Sequence, residues 1–336
     1  MISIIFIILG FSFLVLIHEL GHFLAAKYFG VRVEEFGIGF PPRIFSKKIG
    51  DTRYSLNCLP LGGFVKLYGE FTLSDEVSSS ATLEKASESK SFIKQKSWKK
   101  VIILVAGVTM NFLFGWLLLS LVFYIGAPTF ILVNKILPDS PAAVAGILEG
   151  DQITRFSSAK EFTDFIKSHR GQEIILEIKR KDVLEPIFIK AKPEENLGVV
   201  ISDVGFPAQS FFKSFFNGFS YSIFIMWSIL IAIGGIFSVP ESFVGPVGIF
   251  GIAIETGKQG FIYILQLLSL ISLNLAVLNL LPIPALDGGR LFFILIEKVR
   301  GVAMSAKREL FWNGVGFIFL ISLVIVVTVS DLVKLF

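Results

Sequence analysis

The apolar positions of this chain form long continuous runs that are separated by polar segments. Four of the runs are long enough to cross the ~30 Å hydrocarbon core of a bilayer as helices. These are residues 3–26, 101–125, 211–237 and 311–333. A fifth apolar segment begins at Phe261 and is interrupted by prolines after residue 280. The pattern predicts a multispanning α-helical membrane protein with polar inserts between its spans.

The composition of the chain supports this class of protein. Of 336 residues, 53% are hydrophobic and 17% are charged, which is too apolar for a soluble domain of this length. The net charge of +4 comes with no basic stripe among exposed aromatic residues and no nucleic-acid motif, so we expect no nucleic-acid partner. The single cysteine, Cys58, excludes an intrachain disulfide and zinc clusters built from thiolates.

The first apolar run contains a His-Glu-x-x-His motif at residues 18–22. In a helix, His18 and His22 lie one turn apart on one face, with Glu19 beside them. Two imidazoles at this spacing can hold a zinc ion, and the carboxylate can accept a proton from the water that the metal activates. Because ionisable groups are costly inside a membrane, they usually mark function there. Lys27 follows closely, so we expect the site near one membrane face.

The segment after Phe261 can supply a third ligand for the zinc ion that His18 and His22 could hold. Pro282 and Pro284 interrupt its helix, which a membrane tolerates only where the freed backbone lines a wet or protein-enclosed cavity. A catalytic zinc site needs three protein ligands, and the remaining histidine, His169, lies outside the apolar runs. A carboxylate must therefore complete the set, and the downstream candidates are Glu241, Glu255, Asp287 and Glu297. Only Asp287 has an irregular intramembrane setting, although it could instead cap the helix that follows.

The distribution of positive charge indicates a topology. Thirteen Lys and Arg residues lie between residues 27 and 100, so we expect this loop in the cytoplasm and the N-terminus outside. His18 and His22 then lie near the inner end of an inward-running span, and Asp287 reaches the same depth only if its own segment also runs inward. If residues 211–237 crossed the membrane fully, the segment after Phe261 would run outward, and Asp287 would lie at the outer face, away from the histidines. We therefore expect four spans, with residues 211–237 interfacial or re-entrant and both termini outside.

The polar segment at residues 27–100 has two distinct parts. Residues 64–68 alternate in the manner of a strand after a double glycine. As an exposed edge, this strand could hold an extended substrate, and a plain structural hairpin is the alternative. The residues that would contact substrate are Phe64, Val65, Lys66 and Leu67. From Ser74 to about Lys96 the chain is rich in Ser, Glu and Lys, which is typical of a mobile loop.

Residues 127–205 predict a soluble α+β insert. The expected elements are a helix near residues 160–169 and strands near residues 173–179 and 186–191. A Ser-Pro-Ala-Ala run followed by Ala-Gly and Gly-Asp, within residues 137–151, resembles a PDZ domain in the permuted form of bacterial proteases. This resemblance implies that the insert binds peptide C-termini. It places the carboxylate-binding loop of such domains at Leu197, Gly198 and Val199.

The paired motifs resemble those of a known family. The His-Glu-x-x-His motif, the PDZ-like insert and Asn279-x-x-Pro282-x-Pro284-x-Leu286-Asp287-Gly288 follow one another as in the site-2 protease family of intramembrane zinc metalloproteases. The similar branch is the bacterial regulator of sigma-E protease type, and the likeness covers nearly the whole chain. This chain departs from the family in two respects. It has room for one PDZ domain, and it reads Gly107-Val108-Thr109-Met110-Asn111 where members often carry Gly-Pro-x-x-Asn.

The resemblance assigns roles to individual residues. It implies one Zn²⁺ per chain, and the implied ligands are His18, His22 and Asp287. It implies that Glu19 is the general base and that Asn279 and Asn274 help to hold the substrate. Residues 59–70 are expected to form a small membrane-associated β-loop.

The resemblance also implies a location and a class of substrate. The chain is expected in the bacterial cytoplasmic (inner) membrane, in contact with the lipid bilayer, with its active site near the cytoplasmic face and its PDZ domain outside. The expected substrates are single-pass membrane proteins, namely a pre-trimmed anti-sigma factor and remnant signal peptides. The PDZ domain would bind a new C-terminus or exclude untrimmed substrates by its bulk.

The expected domains follow from these assignments. They are the first two spans with their loop (residues 1–126), the PDZ domain (127–205), an interfacial or re-entrant segment (206–258) and the last two spans (259–336).

The residues leave two other classes of function open. A membrane metal transporter needs several ionisable groups along the membrane depth, whereas this chain clusters them at one end. A PDZ adaptor with a structural zinc would close the fourth ligand position and would need no base such as Glu19.

Overall fold

The computed structural model describes residues 2–70, 89–169, 171–180, 183–190, 197–235, 245–302 and 304–335. Glu241 and most of the predicted mobile loop lie outside these ranges. The helices are α1 (Ile2–Tyr28), α2 (Ser97–Ile125), α3 (Pro141–Val144), α4 (Ala159–Ser168), α5 (Phe211–Gly234), α6 (Pro246–Gln259), α7 (Phe261–Leu280), α8 (Asp287–Arg300) and α9 (Ala306–Leu335). The strands are β1 (Val33–Ile49), β2 (Thr52–Leu67), β3 (Ala127–Ile136), β4 (Gln152–Ile153), β5 (Glu173–Arg180), β6 (Val183–Lys190) and β7 (Val199–Phe206).

The chain divides into two compact units. One unit comprises Met1–Ser120 and Phe215–Phe336, and the other comprises Leu121–Ser214. The first unit contains the long apolar helices, and the second contains a five-stranded sheet with two short helices.

Among the described residues, five helices are long and apolar enough to cross a membrane. Their spans are Leu9–Tyr28, Ser97–Ile125, Phe211–Gly234, Phe261–Leu280 and Lys307–Val333. A helix satisfies its backbone hydrogen bonds internally, which is why such apolar runs are stable in lipid. The multispanning α-helical character expected from the sequence is confirmed. By length and composition α5 could also span, so the four-span topology stays a prediction.

The segment between α1 and α2 folds as a ribbon of β1 and β2. Residue Phe36 of β1 pairs with both Tyr54 and Val65 of β2, because β2 folds back along both sides of β1. The C-terminal part of β2, residues 63–67, is therefore an edge strand of this ribbon. It packs beside α1, where the Ser12 hydroxyl donates to the carbonyl of Pro60. The predicted strand is confirmed for residues 64–67.

The N-terminus of the short helix α6 is hydrogen-bonded to the C-terminal part of α9. This helix spans 14 residues and is not one of the five helices long enough to cross a membrane. The buried carboxylate of Asp331 accepts hydrogen bonds from the backbone N–H groups of Gly245 and Gly248, at 3.1 and 2.8 Å. A helix N-terminus leaves such N–H groups without partners inside the helix, so this carboxylate caps α6.

The second unit is an antiparallel sheet in the order β6-β5-β4-β3-β7. Alternate residues of its strands, such as Ile131, Leu176 and Ile178, are fully buried and form its core with the apolar face of α4. The helix and the two strands predicted for this insert are confirmed with small shifts of their ends. His169 lies at the C-terminal cap of α4, with Nδ1 3.0 Å from the carbonyl of Phe165, as a capping histidine should.

Candidate metal centre

The two histidines of the His-Glu-x-x-His motif lie buried on one face of α1. His18 and His22 are 7% and 8% exposed, and their Nε2 atoms are 3.1 Å apart. Helix α2 packs directly on this face through Gly107. A Cβ atom at Gly107 would lie 2.5 Å from Nε2 of His22, so only glycine lets α2 approach the imidazoles this closely.

Asp287 completes a three-atom cluster with the histidines. Its Oδ2 atom lies 3.0 Å from Nε2 of His18 and 3.2 Å from Nε2 of His22. Neighbouring ligand atoms of a tetrahedral zinc with bonds of ~2.0–2.1 Å lie about 3.3 Å apart. The three sides of the observed triangle, 3.0, 3.1 and 3.2 Å, therefore suit a zinc ion.

Hydrogen bonds to the other ring nitrogens favour the ligand form of both imidazoles. Nδ1 of His22 lies 2.8 Å from the backbone carbonyl of Ile103, so Nδ1 carries the proton and Nε2 presents a lone pair. Nδ1 of His18 lies 3.3 Å from the side-chain amide of Asn111, whose Oδ1 has no partner among the described residues. The oxygen and nitrogen of an amide are interchangeable by shape, and exchanging them lets Oδ1 accept from His18 Nδ1. Three lone pairs then converge, which is costly for buried groups unless a cation lies between them.

The connection between α7 and α8 delivers Asp287 to this cluster. Leu286 is the N-cap residue and Asp287 is the first residue of α8, so the alternative role of Asp287 as an N-cap is wrong. Gly288 and Gly289 pack against the backbone carbonyls of the preceding turn, where a Cβ atom would collide with Leu280 and Ile283. The two glycines that follow Asp287 thus let the chain turn tightly enough to bring its carboxylate inward.

Glu19 lies beside the cluster and faces the ribbon. Its Oε2 atom accepts a hydrogen bond from the backbone N–H of Val65, at 3.0 Å. This bond links the predicted base on α1 to the edge strand at residues 63–67.

Two cavities flank the cluster and share His18, Glu19, Ala285 and Asp287. The first has a volume of about 470 Å³. Its further lining residues include Phe64, Val65, Leu67, Glu70, Arg290 and Asn313. The second has a volume of about 260 Å³. Its further lining residues include Val15, Asn111, Leu275, Asn279 and Leu286.

The cavities bring together most of the predicted site residues. Phe64, Val65, Leu67 and Asn279, which the sequence predicts to contact substrate, each line one of the two cavities. Lys66 lines neither of these two cavities. Its Nζ instead pairs with Glu34 at 2.9 Å, and its side chain is 61% exposed. Asn274 is half-buried on α7 and lines neither of the two cavities, and the other predicted binding residues, Leu197, Gly198 and Val199, belong to the second unit.

Four polar side chains at this site are not among the residues predicted from the sequence. Glu70 and Arg290 form an ion pair in the first cavity, with side chains 10% and 16% exposed, which joins the end of β2 to α8. Asn313 of α9 accepts a hydrogen bond from the backbone of Ala285, at 3.1 Å. Asn111 stood in a stretch that the sequence analysis singled out, and the presence of a polar residue in an apolar span was the available signal.

Comparison with known proteins finds relatives that match nearly the whole chain. Residues 6–323 match the model of Peptidase family M50. A protein of Clostridium perfringens named as a zinc metalloprotease is 34% identical, over 98% of each chain. The zinc metalloprotease RasP of Oceanobacillus iheyensis is 29% identical over the full length of both chains. The regulator of sigma-W protease RasP of Bacillus subtilis is 28% identical over 99% of each.

These matches favour the protease over the metal transporter and the adaptor, and they support Zn²⁺ as the cofactor. The long apolar helices agree with a multi-pass membrane protein. The chain therefore belongs to peptidase family M50, the site-2 proteases, and is a zinc metalloprotease of the membrane.

Proposed function

We propose that this protein is an intramembrane endopeptidase that cleaves the transmembrane segments of single-pass membrane proteins. In this proposal His18, His22 and Asp287 hold one zinc ion, and Glu19 is the general base. The observation that carries the proposal is the buried triangle of three ligand atoms with sides of 3.0–3.2 Å, set among apolar helices beside a carboxylate.

The chemistry needs water, a base and a place for the scissile carbonyl. A zinc ion at this position supplies Lewis acidity, which polarises a carbonyl and lowers the pKa of water toward ~7. Glu19 accepts the proton of the attacking water and passes it to the leaving amine. The bond from Val65 to Oε2 holds the carboxylate in one orientation, so Oε1 can face the proton. Asn279 reaches the second cavity, where its amide can hold the substrate backbone.

The substrate must be extended before it is cut, because the carbonyls of a helix are engaged in its own hydrogen bonds. The edge strand at residues 63–67 lies beside Glu19, and an unwound substrate can add to this edge of the ribbon as a further strand. Phe64 and Leu67 face the same cavity and can pack on the substrate side chains.

The proposed topology is that of a bacterial cytoplasmic membrane protein with four spans. The N-terminus, the C-terminus and the second unit are outside, and the metal centre lies near the cytoplasmic face. Residues 211–237 lie along or re-enter the outer surface, since a full crossing would separate Asp287 from the histidines. A tag fused at the C-terminus should therefore be outside, and a cytoplasmic tag would contradict this topology.

We further propose that the second unit is a PDZ domain that either binds peptide C-termini or excludes untrimmed substrates. Strand β7 is an edge of the sheet, and the start of α4 is held beside it where the N–H of Ala159 donates to Asp203. A peptide adding to β7 would have its C-terminus near residues 197–199, which precede and begin that strand. The name of the Bacillus subtilis relative, a regulator of sigma-W protease, supports a role in regulating a sigma factor. We propose a pre-trimmed anti-sigma factor as the substrate and remnant signal peptides as another class.

Substitution Glu19→Gln tests the proposed activity. The variant should retain zinc and lose cleavage of a single-pass membrane reporter, because the amide cannot accept the proton of the attacking water. Normal cleavage by a zinc-loaded Glu19→Gln protein would contradict the proposal. If the variant traps substrate, the trapped protein identifies it.

A further inference from the structure

The short connection between α7 and α8 uses nearly all of its backbone donors internally. Pro282 and Pro284 have no N–H group. The N–H of Ile283 donates to Leu281 at 2.7 Å, and the N–H of Leu286 donates to Ile283 at 3.2 Å. The remaining donor is Ala285, and it is the one that bonds to another described element: its N–H donates to Oδ1 of Asn313 on α9, at 3.1 Å.

Ala285 needs an external partner because its backbone conformation is disfavoured. Its φ angle is 77°, in the left-handed region where a Cβ atom crowds the backbone and where glycine is the usual residue. Every residue after Ala285, including Asp287 two positions later, takes its direction from this dihedral angle.

Helix α9 is shaped to reach this connection. Gly316, three residues after Asn313 and therefore on the same face, packs against the carbonyl of Pro284, where a Cβ atom would collide with it. The glycine lets the helix approach, and Asn313 then reaches the N–H of Ala285. The connection therefore meets α9 at two places, through the hydrogen bond of Ala285 to Asn313 and through the packing of Gly316 against the carbonyl of Pro284.

We propose that Asn313 is a positioning residue for the metal centre. Its amide oxygen holds Ala285 in the left-handed conformation, and this sets the place of the Asp287 carboxylate relative to His18 and His22. The inference rests on the proposed role of Asp287 as a zinc ligand. It makes α9 part of the zinc site although the helix supplies no ligand.

The test compares zinc affinity and cleavage in full-length protein reconstituted in phospholipid nanodiscs. Asn313→Leu and the smaller Asn313→Ala remove the acceptor. Zinc affinity is measured by competition with a chromogenic chelator, and kcat and KM are measured on a single-pass reporter. Loss of an outer partner of a metal ligand typically lowers metal affinity by roughly 10–100-fold, so we expect at least a tenfold loss of affinity and a lower kcat with little change in KM.

The second substitution Ala285→Gly distinguishes positioning from general damage. Glycine adopts the left-handed conformation without the Cβ penalty, so Ala285→Gly should restore the zinc affinity of Asn313→Leu to within about threefold of that of Ala285→Gly alone. The matched control is Ser322→Leu, an exposed polar residue of the same helix whose hydroxyl bonds within α9 to Ile318. This control should match the wild type.

Three results would overturn the inference. They are unchanged zinc affinity in both Asn313 variants, a loss of affinity that Ala285→Gly does not restore, and a failure to fold that Ala285→Gly does not correct. Asp287→Asn separates the inference from the proposed function. If Asp287→Asn loses zinc while the Asn313 variants keep it, only the inference fails, and if Asp287→Asn keeps zinc, the proposed ligand set fails.

Discussion

The carboxylate of Glu19 accepts a hydrogen bond from the backbone N–H of Val65, with 3.0 Å between nitrogen and oxygen, although the two residues are 46 positions apart. The bond joins the metal-site helix to the edge strand of the ribbon. This one contact therefore holds the proposed base, Glu19, next to the strand that is proposed to bind the substrate. A substrate strand paired along residues 63–67 would pass directly beside the base.

The first prediction concerns this contact. Val65→Pro removes the N–H group, so the carboxylate of Glu19 loses its orientation, and a misplaced catalytic group can cost roughly 10²-fold in rate. We expect kcat/KM to fall by about that factor while the zinc content stays at the wild-type value. Val65→Ala keeps the N–H group and is the matched control. Equal rates for the proline and alanine variants would show that the bond does not matter.

The second prediction concerns the close approach of α2. Gly107→Ala places a methyl group against the imidazoles of His22 and His18, and both helices are too well packed to yield freely. We expect zinc affinity to fall roughly tenfold or more, measured by chelator competition. Gly251→Ala, on α6 where a Cβ atom meets nothing within 4 Å, is the control and should leave affinity unchanged. A Gly107→Ala protein with normal zinc affinity would argue against tight packing at the site.

The third prediction concerns the buried ion pair of Glu70 and Arg290. Removing one partner of a buried pair typically costs about 3–5 kcal/mol. The low end of this range applies here, because Asp287 and Glu309 still attract the charge of Arg290. Glu70→Gln should therefore lower the free energy of unfolding of the first unit by about 3 kcal/mol, measured by thermal unfolding in detergent. Asp51→Asn breaks the exposed pair with Lys90, at 3.3 Å, and should change the free energy of unfolding far less, because solvent screens an exposed pair. Similar costs for the two variants would contradict the burial of the Glu70 pair.

The fourth prediction concerns acid stability of the second unit. Burial raises the pKa of Asp151, but the guanidinium of Arg180, at 2.7 and 2.8 Å, and the N–H of Leu148 outweigh it and hold that pKa below its usual value. A lowered folded-state pKa contributes stability above the unfolded value of about 4, and this stability is lost as the pH falls through the folded value.

Hydrogen exchange of β5 in the full-length protein measures this effect. Wild type should be better protected than Asp151→Asn at pH 7, after correction for intrinsic exchange, and the difference should shrink as the pH is lowered below about 4. A difference that stayed constant down to pH 2 would show that the charge of Asp151 is not what stabilises the unit.

Much of the site could be predicted from the sequence, because its strongest signals are local. The spacing of His18 and His22 needs only helix geometry, and Asp287 followed from the chemistry of a three-ligand site. The edge strand was visible from its alternation. The partners of its side chains were not, and Lys66, which was predicted to contact substrate, pairs with Glu34 and lines neither cavity of the site.

The remainder depends on contacts between residues that are far apart in sequence. Asn111 contacts His18, which is 93 positions away, and Glu70 contacts Arg290, which is 220 positions away. A local sequence pattern predicts neither contact. The left-handed conformation of Ala285 was hidden as well, because alanine is not a residue that predicts it. The hydropathy of α5 allows it to cross the membrane. Whether it does so depends on the direction in which the other spans must run to bring Asp287 to the histidines.

Zinc K-edge X-ray absorption on the purified full-length protein tests the metal centre most directly. The proposed site predicts one zinc per chain, with two imidazole nitrogens and carboxylate oxygen at ~2.0–2.2 Å and no sulfur ligand. In Asp287→Asn the zinc content should drop well below that value. A wild-type protein that binds no zinc, or an Asp287→Asn protein with an unchanged zinc content and spectrum, would contradict it.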